Sequence, residues 1–489
     1  MKGFVIKSDA SIRQAMEAIN HGESAGMAIV VDNANRLLGT ITDGDIRRAV
    51  LNNANLDSLA SAIMRQKPVT VYPDTDTQIL RRIFIEHAVK HIPVVDSDNR
   101  FIELIQVSDL LSIPLSNPDI TDRERSAVLE VLQSTNLSLG PKVVEFEKKI
   151  AAYADRKYAI AVNSGTSALH LIIKSLGLGP RDEVITTPFS FIASSNCLLY
   201  EEVKPVFVDI DPETFNINPK LIEAAVTPKT KAILAVDVFG QPADYEALTS
   251  IAQKHGLALI SDCCEAIGSI YKGRPAGSFG DAGVFAFYPN KQITTGEGGA
   301  IVTDSKKIAD LCRSLRNQGR GEKGGWLCHE RLGYNYRLSD ISSALGIVQL
   351  ERIDEIVKKR QGVADMYCDA LKGVTDLRLP IIHPNVDRMS WFVYVILLDK
   401  NFTRSQRDTI LSLLTRAGIG ANTYFQPIHL QPFYVEKFGF KSGDFPVTES
   451  ISERTLALPF HNQLDRESVA TVAQQLERLI NNVVTSPAC

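Results

Sequence analysis

The chain has 489 residues, of which 44% are hydrophobic and 22% charged, so it is long enough to form two or more globular domains. Its formal net charge of -4, without a long run of Lys and Arg, argues against a nucleic-acid partner. Its sequence contains neither an apolar stretch of the roughly 20 residues that a membrane helix needs nor the apolar core of a signal peptide. We therefore expect a cytoplasmic protein, and its seven cysteines, which form no C-x-x-C pair, predict reduced thiols and no metal site.

The first 112 residues contain two similar units, and such internal repeats determine the fold. The first unit has a helical pattern, SIRQAMEAIN, two apolar strands, MAIVVD and LLGTIT, and a helix that opens at Asp43. The second repeats this order as DTQILRRIFIEHAV, HIPVVD, FIELIQ and VSDLLS. Apolar runs rich in β-branched residues and bounded by turn residues are typical of buried strands. The pattern predicts an α/β module built from two copies of one helix–strand–strand–helix unit.

This order of elements resembles a tandem cystathionine β-synthase (CBS) domain pair over about residues 1–112. The resemblance implies an adenine nucleotide in the cleft between the units, with the Thr42 hydroxyl at phosphate and the Asp45 carboxylate at the ribose. An alternative stays open, in which Thr42 and Asp45 only cap the helix that follows. In the second unit Asp109 is present, but Gln106 occupies the hydroxyl position. We therefore expect one bound nucleotide and not two.

A short proline-containing segment, residues 113–119, separates this module from the rest and predicts a domain entry. Beyond it, the apolar runs YAIAVN, DEVITT, KPVFVDI, KAILAVDVF, LALISD and AGVFAFY alternate with helical patterns. Runs that are apolar on both faces and joined by helices predict a mostly parallel sheet covered on two sides. The last ~130 residues, which include WFVYVILL, predict a smaller α+β subdomain. The predicted domains are residues 1–112 and 113–489.

Lys291 follows the apolar run FAFY and a proline, inside a polar, glycine-rich turn that leads into a second apolar run, GGAIVTD. A lone loop lysine is usually a solvated surface charge. Between two buried strands, however, the charged ammonium is disfavoured, and an uncharged amine can form an imine. A lysine that holds pyridoxal phosphate in this way also needs a carboxylate for the pyridine nitrogen, a phosphate cradle and an apolar face for the ring.

Three other segments have the residue types that these requirements call for. Asp262 ends the run LALISD, at the carboxyl end of a predicted parallel strand, where ligands bind in open α/β sheets. Ser164–Ser167, with Gly165 and Thr166, opens a helix whose first N–H groups can bind an anion. Phe191 can cover the ring. For each segment a structural role is the alternative: a helix cap for Asp262, an ordinary helix start for Ser164–Ser167, and a core position for Phe191.

Residues 113–489 resemble the DegT-type sugar-nucleotide aminotransferases, which are fold type I pyridoxal-phosphate enzymes. The resemblance rests on NSGTSALHL, DEVITTPFSFIASSN, SDCCEAIGS, FAFYPNKQITTGEGG, GYNYRLSD and PIHLQPFY, in this order. It implies that Lys291 forms the imine and transfers protons. It also implies cofactor contacts from Asp262, Glu265, Gly165, Thr166, Phe191 and Asn335. Asn335 and Arg337 would reach the active site of a neighbouring subunit, which makes the protein a homodimer or a larger homo-oligomer.

The sequence departs from the family at Ala286, where many relatives have a serine whose hydroxyl binds the cofactor phosphate. Two weaker signals lie further along the chain. The basic, glycine-rich loop 316–325 favours a lid in which Arg320 contacts the substrate's diphosphate, with an ordinary mobile loop as the alternative. His429 is a candidate for contact with the sugar or the partner subunit, and a structural histidine is the alternative.

The function that the resemblance implies is transfer of an amino group from glutamate to a nucleotide-linked keto sugar, expected to be a 4-keto-6-deoxyhexose, for surface polysaccharide or glycan biosynthesis. The CBS pair would add regulation by a nucleotide. One alternative is a pyridoxal-phosphate-dependent sugar dehydratase, but there a histidine replaces the lysine, which Lys291 contradicts. A second alternative is a nucleotide sensor whose larger domain is a non-catalytic scaffold, which the combination of Lys291, Asp262 and Thr166 argues against.

Overall fold

The computed structural model describes residues 4–21, 26–52, 54–87, 89–106, 113–321 and 327–485. The chain forms two compact units, one comprising residues 1–112 and 416–418 and the other residues 113–415 and 419–489. We call them the amino-terminal unit and the carboxyl-terminal unit. Among the described residues, no helix is long and apolar enough to cross a membrane.

The amino-terminal unit contains the repeated order of elements that the sequence predicts. Its elements are β1 Val5–Lys7, α1 Ile12–His21, β2 Met27–Val31, β3 Leu37–Thr42, α2 Asp43–Leu51, β4 Arg65–Gln66, α3 Thr77–His87, β5 His91–Val95 and β6 Phe101–Gln106. Strands β1 to β4 form one sheet in chain order, and β5 pairs with β6 as an antiparallel hairpin. The predicted last helix of the second repeat, VSDLLS, lies outside the described residues.

One apolar cluster contains residues of both repeats. Ile29 and Val31 of β2 are buried together with Val95 and Phe101 of the second repeat. A backbone hydrogen bond also joins the two repeats: the Phe101 N–H of the second donates to the Asn35 carbonyl of the first at 2.9 Å. Each repeat therefore buries an apolar face that it could not bury alone.

The carboxyl-terminal unit begins with a large subdomain. Its helices are α4 Asp122–Leu132, α5 Pro141–Tyr153, α6 Gly165–Ser175, α7 Ala193–Leu199, α8 Pro219–Ala225, α9 Tyr245–His255, α10 Lys306–Arg316, α11 Asp340–Glu351 and α12 Ile353–Leu371. Its strands are β7 Tyr158–Val162, β8 Glu183–Thr186, β9 Lys204–Phe207, β10 Thr230–Val236, β11 Ala258–Asp262, β12 Ile270–Tyr271, β13 Arg274–Pro275, β14 Ala282–Ala286 and β15 Gly299–Thr303.

Seven of these strands form the central sheet, in the order β7-β15-β14-β11-β10-β8-β9. The pairs among β9, β8, β10, β11 and β14 are parallel, whereas β15 runs antiparallel to both β14 and β7. Strands β8 and β15 are buried along their whole length, and β11 is buried over its last four residues. This is expected for a sheet that is covered on both faces. The predicted α/β class with a mostly parallel sheet is confirmed.

A smaller subdomain completes the chain. It contains β16 Leu377–Arg378, β17 Val386–Arg388, β18 Tyr394–Leu398, α13 Arg404–Arg416, α14 Pro432–Phe438, α15 Pro446–Ser452, β19 Thr455–Leu458 and α16 Arg466–Thr485. Strands β16, β18 and β19 form an antiparallel sheet, while β17 pairs with β12 of the large subdomain. The predicted α+β character of this region is confirmed, and β18 is the predicted strand within WFVYVILL.

Candidate active site

The carboxyl ends of the parallel strands open into a cavity of about 460 Å³. β10 and β11 end side by side, because Val236 pairs with Asp262, and β14 ends nearby at Ala286. The start of α6, which follows β7, also lines the cavity. So does Phe191, in the loop after β8. Ligands of open α/β sheets bind at this edge, so the cavity is the candidate active site.

Lys291 and Glu265 meet inside this cavity. The Lys291 Nζ lies 3.4 Å from the Glu265 Oε1, and the two side chains are only 13% and 7% exposed. The same Nζ lies 3.8 Å from the centre of the Phe392 ring, whose negative face attracts a cation. Burial raises the pKa of Glu265, while the charge of Lys291 and a hydrogen bond from the Phe239 N–H oppose this shift. A proton can therefore pass between an amine and a carboxylate that are both shielded from water.

Asp262 is held in one orientation by two hydrogen bonds. The Ser194 hydroxyl donates to its Oδ2 at 2.7 Å, and the backbone N–H of Cys264 donates to its Oδ1 at 3.2 Å. The side chain lines the cavity although the residue is only 3% exposed. A buried carboxylate with fixed oxygens is suited to pair with a protonated ring nitrogen. Ser194 was not singled out from the sequence, although it lies in the FIASSN segment of a recognised motif.

The start of α6 forms the opposite wall. Ser164 caps the helix by accepting a hydrogen bond from the Ser167 N–H at 3.1 Å, so the first N–H groups of the helix, at Gly165 and Thr166, are available to a ligand. A Cβ at Gly165 would lie 2.8 Å from the Ala286 Cβ and 2.9 Å from the Cys264 Sγ, which leaves no room for a side chain. Glycine at this position is thus required by close packing against the end of β14.

Aromatic side chains form the remaining walls and the rim. Phe425 and Phe392 are buried, and burial raises the pKa of the Tyr424 phenol to about 12, so that it stays uncharged. Phe191 and Tyr288 line the same cavity and are 62% and 51% exposed. Of these aromatic residues, the sequence predicted only Phe191. Phe392, Tyr424 and Phe425 lie in the small subdomain, and Tyr288 follows β14.

Three predicted contacts lie away from this cavity. Asn335 pairs through its backbone with Asn317, and the Arg337 guanidinium donates to the Asn317 Oδ1 at 3.0 Å. Neither lines the cavity of its own chain. Arg320 pairs through its backbone with His329 and does not line the cavity either, while residues 322–325 of the proposed lid lie outside the described residues.

The assignment of His429 to substrate contact is corrected. Its side chain is fully buried, its Nε2 lies 3.0 Å from the Glu449 Oε1, and its ring packs edge-on against Phe445. The Glu449 carboxylate also accepts hydrogen bonds from the backbone of Gly443 and Phe445. His429 is therefore a structural residue that holds this turn in place, which was the alternative that the sequence left open.

The amino-terminal unit contains its own cavity of about 720 Å³, which both repeats line. Thr42 and Asp45 lie on its wall, but they also form a capping box at the start of α2. The Asp45 Oδ2 accepts from the Thr42 N–H at 2.8 Å and from its hydroxyl at 2.6 Å, and Arg48 pairs with the other oxygen. Burial opposes ionisation of Asp45, yet these hydrogen bonds outweigh it and lower its pKa.

The basic side chains Arg48, Arg65 and Lys90 line this cavity together with the acidic Asp43 and Asp45, and Arg48 pairs with Asp45. Three positive charges against two negative ones give the wall the sign of charge that a phosphate-bearing ligand needs. Asp109, the corresponding acid of the second repeat, lies outside the described residues. The capping role of Thr42 and Asp45 is observed, and their contact with a nucleotide stays a prediction. Among the described residues, no group of His, Cys, Asp and Glu side chains could hold a metal ion.

Comparison with known proteins identifies relatives of both units. The profile of the DegT/DnrJ/EryC1/StrS aminotransferase family matches residues 118–477, and that of the CBS domain matches residues 2–52 and 60–116. The spore coat polysaccharide biosynthesis protein SpsC of Bacillus subtilis is 39% identical over 380 residues, which cover 75% of this chain and 97% of SpsC. GDP-perosamine synthase of Caulobacter vibrioides is 37% identical over 379 residues, 76% of this chain and 100% of that enzyme.

Among solved structures, Spr1654 of Streptococcus pneumoniae in its PLP-form superimposes with a TM-score of 0.72 at 30% identity. The match covers 76% of this chain and 100% of that one. These relatives are thus about as long as the carboxyl-terminal unit alone, and the amino-terminal unit is additional to them. The resemblances that the sequence suggested for both units are confirmed.

Proposed function

This chain belongs to the DegT/DnrJ/EryC1/StrS aminotransferase family, and we propose that it moves the amino group of glutamate to a nucleotide-linked 4-keto-6-deoxyhexose. The observation that carries the proposal is the convergence of Lys291, Asp262 and the start of α6 on one cavity at the carboxyl edge of the sheet. Each supplies a group that transamination with pyridoxal phosphate needs. Lys291 supplies a mobile proton, Asp262 a carboxylate in a fixed orientation, and the start of α6 an anion site.

The family's cofactor is pyridoxal 5′-phosphate, and the residues of the cavity fit it. When bound, the cofactor supplies an electron sink for the carbon atom that loses or gains a proton. Asp262, oriented by Ser194, would pair with the ring nitrogen. The N–H groups of Gly165 and Thr166 and the Thr166 hydroxyl would hold the phosphate at the positive end of α6. Ala286 lines the same wall with a methyl group, so it adds no hydrogen bond there.

Lys291 would bind the cofactor covalently and then move the proton between the two carbon positions of the reaction. Its position supports this role, because the Nζ faces the cavity from between Glu265 and the Phe392 ring. Glu265, whose Oε1 lies 3.4 Å from the Lys291 Nζ, would accept the proton that the amine loses and return it later. Phe191, Tyr424 and Phe425 would exclude water from the ring.

A nucleotide-linked sugar as the amino acceptor is supported by the name of the relative GDP-perosamine synthase, and a role in polysaccharide biosynthesis by that of SpsC. The open rim of the cavity also supports it. Phe191 and Tyr288 leave 62% and 51% of their surface exposed at the mouth, where a sugar and its nucleotide can lie against them. Arg320 would meet the diphosphate from the loop beyond α10.

The same exposed rim supports a shared site in a homodimer. Asn335 and Arg337 do not line the cavity of their own chain. The large subdomain also exposes apolar side chains that a second subunit could cover; they include Leu129, Leu132, Leu137, Leu139 and Val144, each at least 46% exposed. We propose that a partner subunit covers the rim and supplies its own Asn335 and Arg337.

The test is product analysis with the full chain. Purified protein is incubated with pyridoxal phosphate, glutamate and 4-keto-6-deoxyhexoses carried on GDP, UDP or dTDP. Mass spectrometry should detect the amino sugar from at least one substrate and an equal amount of 2-oxoglutarate. Lys291→Ala protein should give neither product, and after borohydride reduction the wild-type cofactor should map to the Lys291 peptide. Failure of all three substrates, or a reduced cofactor on another lysine, would contradict the proposal.

A second function is proposed for the amino-terminal unit, which we infer binds one adenine nucleotide per chain and thereby alters turnover. The cavity of about 720 Å³, with Arg48, Arg65 and Lys90 on its wall, supports it. A ribose would then compete with Thr42 for the Asp45 carboxylate. Since a ligand changes activity only by binding two conformations unequally, we expect a modest effect, of ~1–3 kcal/mol.

Calorimetry of the full chain with AMP, ADP and ATP tests this second function. Asp45→Ala should abolish binding, while Asp57→Ala is the matched control, since Asp57 pairs with Arg13 on the surface and does not line the cavity. If none of the nucleotides binds at millimolar concentration, the unit is better described as an assembly element. Transamination by the carboxyl-terminal unit would be unaffected by that result.

A further inference from the structure

A second cavity of the carboxyl-terminal unit, about 390 Å³ in volume, lies between β16, the end of β18 and α15. It shares none of its described lining residues with the active-site cavity. Three basic side chains, Arg378, Lys400 and Arg454, line it, and Asp399 is its single acidic lining residue. Apolar side chains of all three elements form the rest of the wall, so the cavity combines a positive end with an apolar side.

Arg454 is built into the floor of this cavity. The residue is only 7% exposed, and its guanidinium donates to the Leu398 carbonyl at 2.8 Å, the Ser450 carbonyl at 2.9 Å and the Ser450 hydroxyl at 3.2 Å. A guanidinium has five N–H donors. Two of them therefore have no acceptor among the described residues, although the side chain is held rigidly at the cavity wall.

Arg378 stands beside it on β16. One of its Nη atoms donates to the Pro212 carbonyl at 2.5 Å, and its guanidinium lies 5.4 Å from the centre of the Phe215 ring. These contacts fix the plane of the group and leave its other donors unused among the described residues. Pro212 lines the cavity too, so the loop after β9 and the small subdomain both contribute to this site.

The positive charge of the cavity has no close counter-charge. In the described part of the chain, no carboxylate lies within 4.0 Å of a nitrogen of Arg378, Lys400 or Arg454. Asp399 and Glu453 act on Arg454 only from a longer distance, and Asp211 and Glu213 do the same for Arg378. Burial, and then the neighbouring charge of Arg378, lower the pKa of Arg454. Two arginines that repel each other in a partly buried place are stabilised by an anion.

We propose that this cavity is a binding site for a small organic phosphate. The planar guanidinium groups of Arg378 and Arg454 match the oxygens of a phosphate in paired hydrogen bonds, and Lys400 adds a third positive charge. The organic part of the ligand lies on the apolar wall formed by Leu377, Val447 and Ile451. The volume of about 390 Å³ accommodates a metabolite of modest size.

The test uses the full-length enzyme loaded with pyridoxal phosphate, so that the phosphate cradle of α6 is filled. Calorimetry with phenyl phosphate, which joins a phosphate to an apolar ring, should show one saturable site per chain. Inorganic phosphate should compete for that site with weaker affinity. Arg378→Gln should weaken binding of phenyl phosphate by about tenfold or more, because it removes a charged hydrogen-bond donor pair. Arg404→Gln, at the exposed start of α13 and outside the cavity, is the matched control and should bind like the wild type.

Lys400→Gln serves as a second variant, since this exposed lysine makes no structural hydrogen bond among the described residues and its loss does not endanger folding. It should weaken phenyl phosphate binding and reduce its dependence on salt. The absence of saturable binding at concentrations on the order of 10 mM would overturn the proposal. Equal affinities of the wild type and both variants would place the ligand elsewhere and overturn it as well. Binding of inorganic phosphate without phenyl phosphate would exclude an organic ligand.

Discussion

Asp237, the residue that follows β10, should make the stability of the carboxyl-terminal unit depend on pH. Its side chain is fully buried, and one oxygen accepts hydrogen bonds from the Ala243 N–H at 2.9 Å and the Tyr245 hydroxyl at 2.7 Å. By distance and angle the other oxygen has no hydrogen-bond partner among the described residues, and the buried Cys263 thiol is a weak donor nearby. Burial is the main cause that raises the pKa of Asp237 from 3.8 to about 7. The folded protein therefore holds a proton that the unfolded chain releases.

The sign of the effect follows from this difference in proton binding. Well below pH 3.8 both states are protonated, and the group has its full stabilising effect. As the pH rises from about 4 to 7, the unfolded chain ionises first, so stability falls by about 1.4 kcal/mol per pH unit. Above the folded pKa of about 7 the loss levels off. Integrated from pH 5 to pH 8, the expected loss is about 2.5 kcal/mol.

Asp237→Asn keeps the shape of the side chain but cannot ionise, so it should remove this pH dependence. The unfolding entropy of a unit of this length is about 0.8 kcal/mol/K, so the expected 2.5 kcal/mol corresponds to about 3 °C. Differential scanning calorimetry of both proteins should therefore show that the Tm difference, variant minus wild type, is about 3 °C more positive at pH 8 than at pH 5. The comparison of two pH values cancels any constant effect of the substitution on packing.

Asp369→Asn is the control, because Asp369 is exposed on α12 and should give the same Tm difference at both pH values. An Asp237→Asn variant whose Tm difference does not change between pH 5 and pH 8 would refute the reasoning. It would mean that Asp237 is ionised in the folded protein and that water or a neighbouring donor solvates its second oxygen.

Three further predictions concern the active site. Asp262→Asn should retain the cofactor but slow its conversion by glutamate on the order of 10²-fold, since the neutral amide cannot hold a protonated ring nitrogen; stopped-flow spectra with near-normal rates would contradict this. Gly165→Ala should weaken cofactor binding to the apoprotein about tenfold in a spectral titration, because its Cβ would lie 2.8 Å from that of Ala286, and unchanged affinity would argue against close packing. Mixing inactive Lys291→Ala with inactive Arg337→Ala protein should restore some turnover, whereas heterodimers without activity would exclude a shared site.

Much of the site could be predicted from the sequence because its parts are defined locally. Asp262 ends a run of apolar residues, Gly165 opens a helix after such a run, and Lys291 lies in the turn between two of them. A strand that ends in a polar residue, or a helix that begins with Ser-Gly-Thr, can be recognised within a few residues. The carboxyl ends of parallel strands then meet at one edge, so the three segments were expected to converge.

Only the tertiary structure showed which side chains from distant parts of the sequence contact Lys291 and Asp262. Phe392 lies beneath the Lys291 amine, and Ser194 orients Asp262, although neither follows from the local pattern. His429 was a candidate for contact with the sugar or the partner subunit, yet packing against Phe445 buries it completely. The cavity between Arg378 and Arg454 likewise joins β16 to the residues after α15, with no motif to mark it.

The physical reason is the range over which each feature is determined. Backbone geometry and the alternation of apolar residues act over a few neighbours, so the sequence by itself determined the strands, the helix starts and the lysine turn. Burial and the pairing of polar groups depend on how the small subdomain packs against the large one, which brings together residues far apart in the chain. The identity of the reactive groups was therefore a property of the sequence, and their immediate surroundings were a property of the packed molecule.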